Sequence, residues 1–109
     1  NRWVPRELNK HYTDHKLDVK DLFGGRTPSK DEFDRRCRQS YNSGKKYLDT
    51  SNDRPVSFER YNSTYGLFTV IEKSGDSKEG QMISCFKRRI EEFLRKVGEN
   101  QRFREIKNT

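Results

Sequence analysis

The stretch from Val56 to Lys87 holds the densest run of β-branched and aromatic residues in the chain, and few folds accommodate it. Such residues fit a pleated, half-buried surface, so this stretch predicts three antiparallel strands. The first begins at Val56. The second runs through Gly66-Leu67-Phe68-Thr69-Val70-Ile71, and the third through Met82-Ile83-Ser84-Cys85-Phe86-Lys87. In the second, Leu67 and Ile71 point one way and Phe68 and Val70 the other, the pattern of a central strand covered on both sides. Strict alternation in the third puts Met82, Ser84 and Phe86 on one face and Ile83, Cys85 and Lys87 on the other. Ser74-Gly75-Asp76 opens the turn between the last two strands, and Glu79-Gly80 closes it.

The flanks supply cover for this sheet. After a short arm in which Trp3 and Val4 dock on the body, Pro5 suits a first helical position. Leu8, Tyr12, His15, Val19 and Leu22 then recur at helical spacing, which predicts one helix ending at Gly24-Gly25. Ser29 and Glu32 have capping-box spacing for a second helix, with Phe33, Cys37 and Tyr41 on its buried face. The polar run from Lys45 to Pro55 reads as a loop around Lys46-Tyr47-Leu48. Lys87-Arg88-Arg89 reads as a solvated helix start, with a hold on a backbone phosphate as the alternative. Beyond it Ile90, Phe93, Leu94 and Val97 form a helical stripe to Gly98, Phe103 and Ile106 continue the packing, and the last residues fray. The expected architecture is α+β: N-terminal helices packed on a small three- or four-stranded antiparallel sheet, with a C-terminal helix.

At 109 residues the chain is expected to be a single domain, residues 1–109. Hydrophobic residues make up only 28% and charged ones 38%, but the aromatics lie in patterned segments, which favours a small folded core over disorder. No apolar run approaches the roughly 18–20 residues that span a bilayer, and no signal-peptide core is present. The chain opens on Asn1 rather than methionine, as expected of a processed product or a piece of a longer protein. The net charge of +7 suits either a solvated basic surface or a polyanionic partner, most often nucleic acid. Cys37 in a helix and Cys85 in mid-strand have the placement of two buried free thiols, with a single disulfide as the alternative.

Three clusters could carry chemistry. His11 and His15, the only histidines, are one helical turn apart beside the apolar stripe. They suit ordinary packing, a shared metal ion, or general acid–base work, since imidazole titrates near neutral pH. A zinc-protease helix would need Glu where Tyr12 stands, and no third ligand is evident beyond Asp14, Asp18 or a distant Cys, so no metal is assigned. Lys10, Lys16 and Lys20 surround the pair and could contact phosphates. Arg60, Tyr61 and Tyr65 flank a hairpin turn that could present a cation to a phosphate and rings to bases. Ser84 lies in an apolar strand, with Lys87 and Arg88 following it. No cofactor motif is present, and none is expected to be needed.

The Lys10-His11-Tyr12-Thr13-Asp14-His15-Lys16 helix, Arg60-Tyr61, the central strand Gly66–Ile71 and the last strand Met82–Lys87 together resemble the barnase, EndoU, colicin D and RelE-like ribonuclease toxins. Many of these are C-terminal domains of contact-dependent growth inhibition proteins. The resemblance implies metal-independent cleavage of RNA, often tRNA, by attack of the 2′-OH on the adjacent phosphate. It implies catalytic roles for His11 or His15, Arg60 and Ser84, with Lys87 a looser fit to the last-strand position; the residues themselves suggest substrate binding by Lys10, Lys16, Lys20, Tyr61, Tyr65, Lys87 and Arg88. It implies a cognate immunity protein as partner, and leaves any host activating factor unnamed. It also implies a secreted or cell-surface parent protein whose toxin acts in the target-cell cytoplasm. The alternative from a different class is a non-catalytic, basic RNA- or DNA-binding module, to which the same charge and aromatics are equally suited.

Overall fold

A computed structural model describes residues 2–106. The frayed end expected of the last residues falls on 107–109, and the arm's first residue is Asn1; these lie outside the described residues. The fold is α+β. Helices α1 (Pro5–His15) and α2 (Lys30–Ser43) precede strands β1 (Lys45–Asp49), β2 (Arg54–Arg60), β3 (Tyr65–Ile71) and β4 (Met82–Arg89). Helix α3 (Ile90–Gly98) and strand β5 (Phe103–Glu105) follow. The five strands form one antiparallel sheet in the order β4-β3-β2-β1-β5.

The central strand β3 is buried on both faces, as its sequence requires. Leu67 and Ile71 join Trp3, Val19, Phe33, Cys37, Met82 and Cys85 under α1 and α2. Phe68 and Val70 join Tyr47, Val56, Phe58, Ile90, Phe93 and Phe103 under α3. In this second layer the Phe93 ring stacks on Phe58 at 4.1 Å and on Phe103 at 5.0 Å. At Gly66 in β3 there is no room for a side chain: a Cβ there would meet Phe58 Cζ at 2.4 Å and the Glu59 carbonyl oxygen at 2.8 Å.

Helix α2 starts at the expected capping box, with the Glu32 backbone N–H donating to Ser29 Oγ and the Ser29 N–H donating to the Glu32 carboxylate. Trp3 and Val4 dock as expected. They run parallel to the start of β4, and Val4 N–H donates to the Met82 carbonyl. The outer edge of β4 is thereby paired there rather than left open.

Several expectations change. The N-terminal helix does not run to Phe23: it ends at His15, and a 3₁₀ turn, Lys20–Phe23, follows an irregular step. There the Asp18 N–H bonds the His15 carbonyl three residues back, which tightens the chain out of the α-helix and turns Val19 into the core. The 45–55 segment is not a plain loop, because Lys45–Asp49 pairs with both β2 and β5. Residues Phe103–Glu105 are strand rather than helix. Arg102 donates to both carboxylate oxygens of the buried Asp49, which fixes the approach to β5. In β4 a register shift opposite Val70/Ile71 breaks the alternation, so Met82 and Cys85 share the α1/α2 layer while Phe86 packs with the other. Cys37 and Cys85 are not free thiols; they form a disulfide that ties α2 to β4.

Candidate active site

The bulged strand β4 carries the site. It runs on through Lys87, Arg88 and Arg89, so Lys87 and Arg88 stand on a pleated strand, while exposed Arg89 is also the residue that caps the start of α3, as expected of a solvated helix start. Lys87 and Arg88 are half-buried there.

Lys87 is held by three groups. Its ammonium donates to Asp21 Oδ2 at 3.2 Å, approaches the Asp18 carbonyl at 3.4 Å and lies 4.0 Å from the centre of the Tyr65 ring. The Tyr61 hydroxyl donates to the same Asp21 oxygen at 3.0 Å. Burial, and then the bond to Asp21, push the Tyr61 hydroxyl well above its ordinary pKa, so it is a donor and not a base. Asp18 follows the end of α1 and Asp21 lies in the 3₁₀ turn, and both meet Lys87 from there.

The two histidines stack, ring centre to ring centre at 5.6 Å. They differ in setting. His11 is the inner ring, 6.0 Å from Trp3, and its Nδ1 is buried with no hydrogen-bond partner among the described residues. Its nearest carboxylate oxygen, on Glu7, is 3.6 Å from Nε2. Burial, and then the neighbouring His15, hold the His11 imidazole below its ordinary pKa, so the neutral ring is favoured. His15 is the outer ring. Its Nδ1 stands 3.1 Å from Asp18 Oδ2, and its other side stacks on Phe86 at 5.8 Å. A carboxylate only accepts, so Nδ1 carries the hydrogen in this bond and Nε2 is left for proton exchange.

Beside His15 opens a cleft of about 450 Å³ lined by Asp18, Tyr65, Phe86, Lys87, Arg88, Arg89 and Glu92. Of the expected residues, Tyr65, Lys87 and Arg88 line the cleft and His15 borders it through Asp18 and Phe86, while His11 lies behind His15 and Tyr61 meets Lys87 through Asp21. The others stand apart. Arg60 is exposed at the end of β2, two residues beyond Phe58 and so on the α3 face. Ser84 is half-buried, and its hydroxyl bonds neither histidine. Lys16 lies over the Tyr12 ring, 5.4 Å from its centre. Lys10 and Lys20 are exposed on α1 and the 3₁₀ turn.

Asp18, Asp21 and Glu92 are additions to the expected set. The spacing of Asp18 from His15, three residues, was the one signal for the first; the other two depend on long-range folding. Among the described residues no group of three or more His, Cys, Asp or Glu side chains is arranged to hold a metal ion, and no helix is long and apolar enough to cross a membrane. Comparison with protein-family models, curated proteins and solved structures gives no match.

Proposed function

We propose that this domain is a metal-independent RNA endonuclease, with tRNA as the leading substrate, and that the cleft beside His15 is its active site. The observation that carries the reading is a polarised imidazole, His15 on Asp18, at the rim of a cleft whose walls hold Lys87, Arg88 and Arg89. Attack of a 2′-OH on its own phosphate needs one proton removed, one delivered, and positive charge on the phosphorane oxygens. His15 Nε2 serves one transfer. Of the carboxylates lining the cleft, Asp18 is engaged by His15, so Glu92 is the group left for the complementary one. Lys87, pinned by Asp21 and Tyr65, and Arg88 supply the charge. The products would be a 2′,3′-cyclic phosphate and a 5′-OH. A secreted or cell-surface parent protein and a cognate immunity protein belong to the same proposal.

The test is incubation of the domain with total tRNA with and without EDTA, followed by end-group analysis. Cyclic-phosphate ends formed in EDTA support the reading. Uncut RNA that is shifted on a gel in a salt-dependent way would favour the binding module instead.

A further inference from the structure

Arg88 is the most unusual cation in the molecule. It is half-buried, yet its side chain forms no ion pair and no hydrogen bond with any described residue. Its guanidinium instead rests over three rings, 4.9 Å from the centre of Phe68, 5.6 Å from Phe103 and 5.8 Å from Phe86. Aromatic faces hold the charge and fix the plane, but they leave its fork of N–H donors unused. Burial, and then the neighbouring Arg102, lower its pKa, with Glu92 and Asp49 opposing; a guanidinium remains charged throughout. Such a group is poised for an acceptor that binds two donors at once, and phosphate has that geometry.

Arg88 also belongs to two grooves. It lines the cleft beside His15, and it lines a second groove of about 340 Å³ along α3 that contains Arg95 and Lys96. Glu92 is the other residue common to both, and Glu99 lies in the second groove. Among the described residues the Arg95 side chain pairs only with Glu91, in an exposed pair at 3.0 Å that a phosphate can displace at little cost.

We infer that Arg88 is a phosphate anchor at the junction of the two grooves, and that the ligand is a single strand of nucleic acid whose consecutive phosphates pass from the His15 cleft over Arg88 to Arg95 and Lys96. This rests on the nuclease reading only for the identity of the strand as RNA. It adds that the substrate is longer than the two nucleotides flanking the cut.

Binding of 2′-deoxy oligonucleotides, which lack the attacking hydroxyl, tests the track separately from the chemistry. Fluorescence anisotropy would follow a dinucleotide, a tetranucleotide and an octanucleotide at two salt concentrations. The octanucleotide should bind about tenfold more tightly than the dinucleotide, and Arg95→Glu with Lys96→Glu should erase that gain while leaving dinucleotide affinity within about twofold. Arg88→Met keeps the apolar stem over the rings. It should weaken all three ligands and reduce the salt slope by about 0.7. Arg88→Lys keeps the charge without the fork and should fall between. Thermal melts confirm that each variant is folded. Equal affinity for all lengths in the wild type, or a folded Arg88→Met that binds like the wild type, overturns the inference. Length-dependent DNA binding with matching RNA left uncut would keep the track and sink the nuclease reading.

Discussion

His15 Nδ1 and Asp18 Oδ2 stand 3.1 Å apart, across the point where the first helix breaks. The three-residue spacing puts both side chains on one face, as it would in a helix, and the Asp18 N–H bond to the His15 carbonyl keeps them there past the helix end. In the observed turn the carboxylate holds the imidazole with Nε2 outward. His15→Ala should lower cleavage by about 10²–10⁴-fold, the usual range for loss of a general acid or base. Asp18→Asn should lower kcat less, with KM held. His11→Gln should retain most activity, because its ring lies behind His15. Single-turnover rates on an end-labelled RNA check all three, and equal losses at His11 and His15 would count against the assignment.

The Glu92 side chain has no hydrogen bond or ion pair to a described residue, although it lines both grooves. Glu92→Gln keeps its size and removes its proton-accepting charge. The variant should bind a 2′-deoxy substrate at least as tightly as the wild type, since a negative charge leaves a polyanion site, while kcat falls by about 10²-fold or more. An unchanged kcat would remove Glu92 from the mechanism.

His11 predicts a pH dependence of stability. Its folded-state pKa lies below the ordinary value of 6.5, chiefly through burial and then through His15. Lys10 on the same helix adds to the lowering, while Glu7 and Asp14 oppose it. Between the two values the unfolded chain binds the proton and the folded chain does not. Stability from this source is therefore present above the unfolded pKa and is lost as pH falls through the folded one. The Tm of the wild type should drop more between about pH 7 and about pH 5 than that of His11→Gln. Parallel pH slopes in differential scanning calorimetry would show that His11 contributes nothing.

The disulfide joins residues 48 apart in sequence, and both cysteines are fully buried. Loop-closure entropy for that separation is about 4 kcal/mol, so the double variant Cys37→Ala, Cys85→Ala should lose about 2–4 kcal/mol in urea unfolding. Phe93→Ala, which empties the centre of the second layer, should cost about 3–5 kcal/mol. Thiol titration of the denatured, unreduced protein checks the bond itself; two reactive thiols would contradict it.

The strands β2 to β4 and the capped helix α2 were legible because each is written in local pattern: alternation, apolar runs, a capping box. The layout of two N-terminal helices, an antiparallel sheet and a C-terminal helix was legible for the same reason. What was not legible depended on pairing at a distance. Phe103 looks helical beside α3, and only the free edge of β1 makes it strand. Met82 and Cys85 share a layer through one bulge that composition does not announce. Val19 and Leu22 kept helical spacing across a break, because a 3₁₀ turn also returns apolar residues to the same core. In the site, the histidine pair was visible as spacing, and Tyr61, Tyr65, Lys87 and Arg88 as residue types near strand ends. Arg60 and Ser84 had suitable chemistry, but the pleat and the helix break assemble the cleft elsewhere.

The most direct measurement is cleavage of total tRNA by the wild type and His15→Ala side by side in EDTA, with the new ends identified chemically. The account predicts fragments ending in 2′,3′-cyclic phosphate for the wild type and intact tRNA for the variant. Equal cleavage by both proteins, cleavage abolished by EDTA, or intact tRNA with the folded wild type would contradict it.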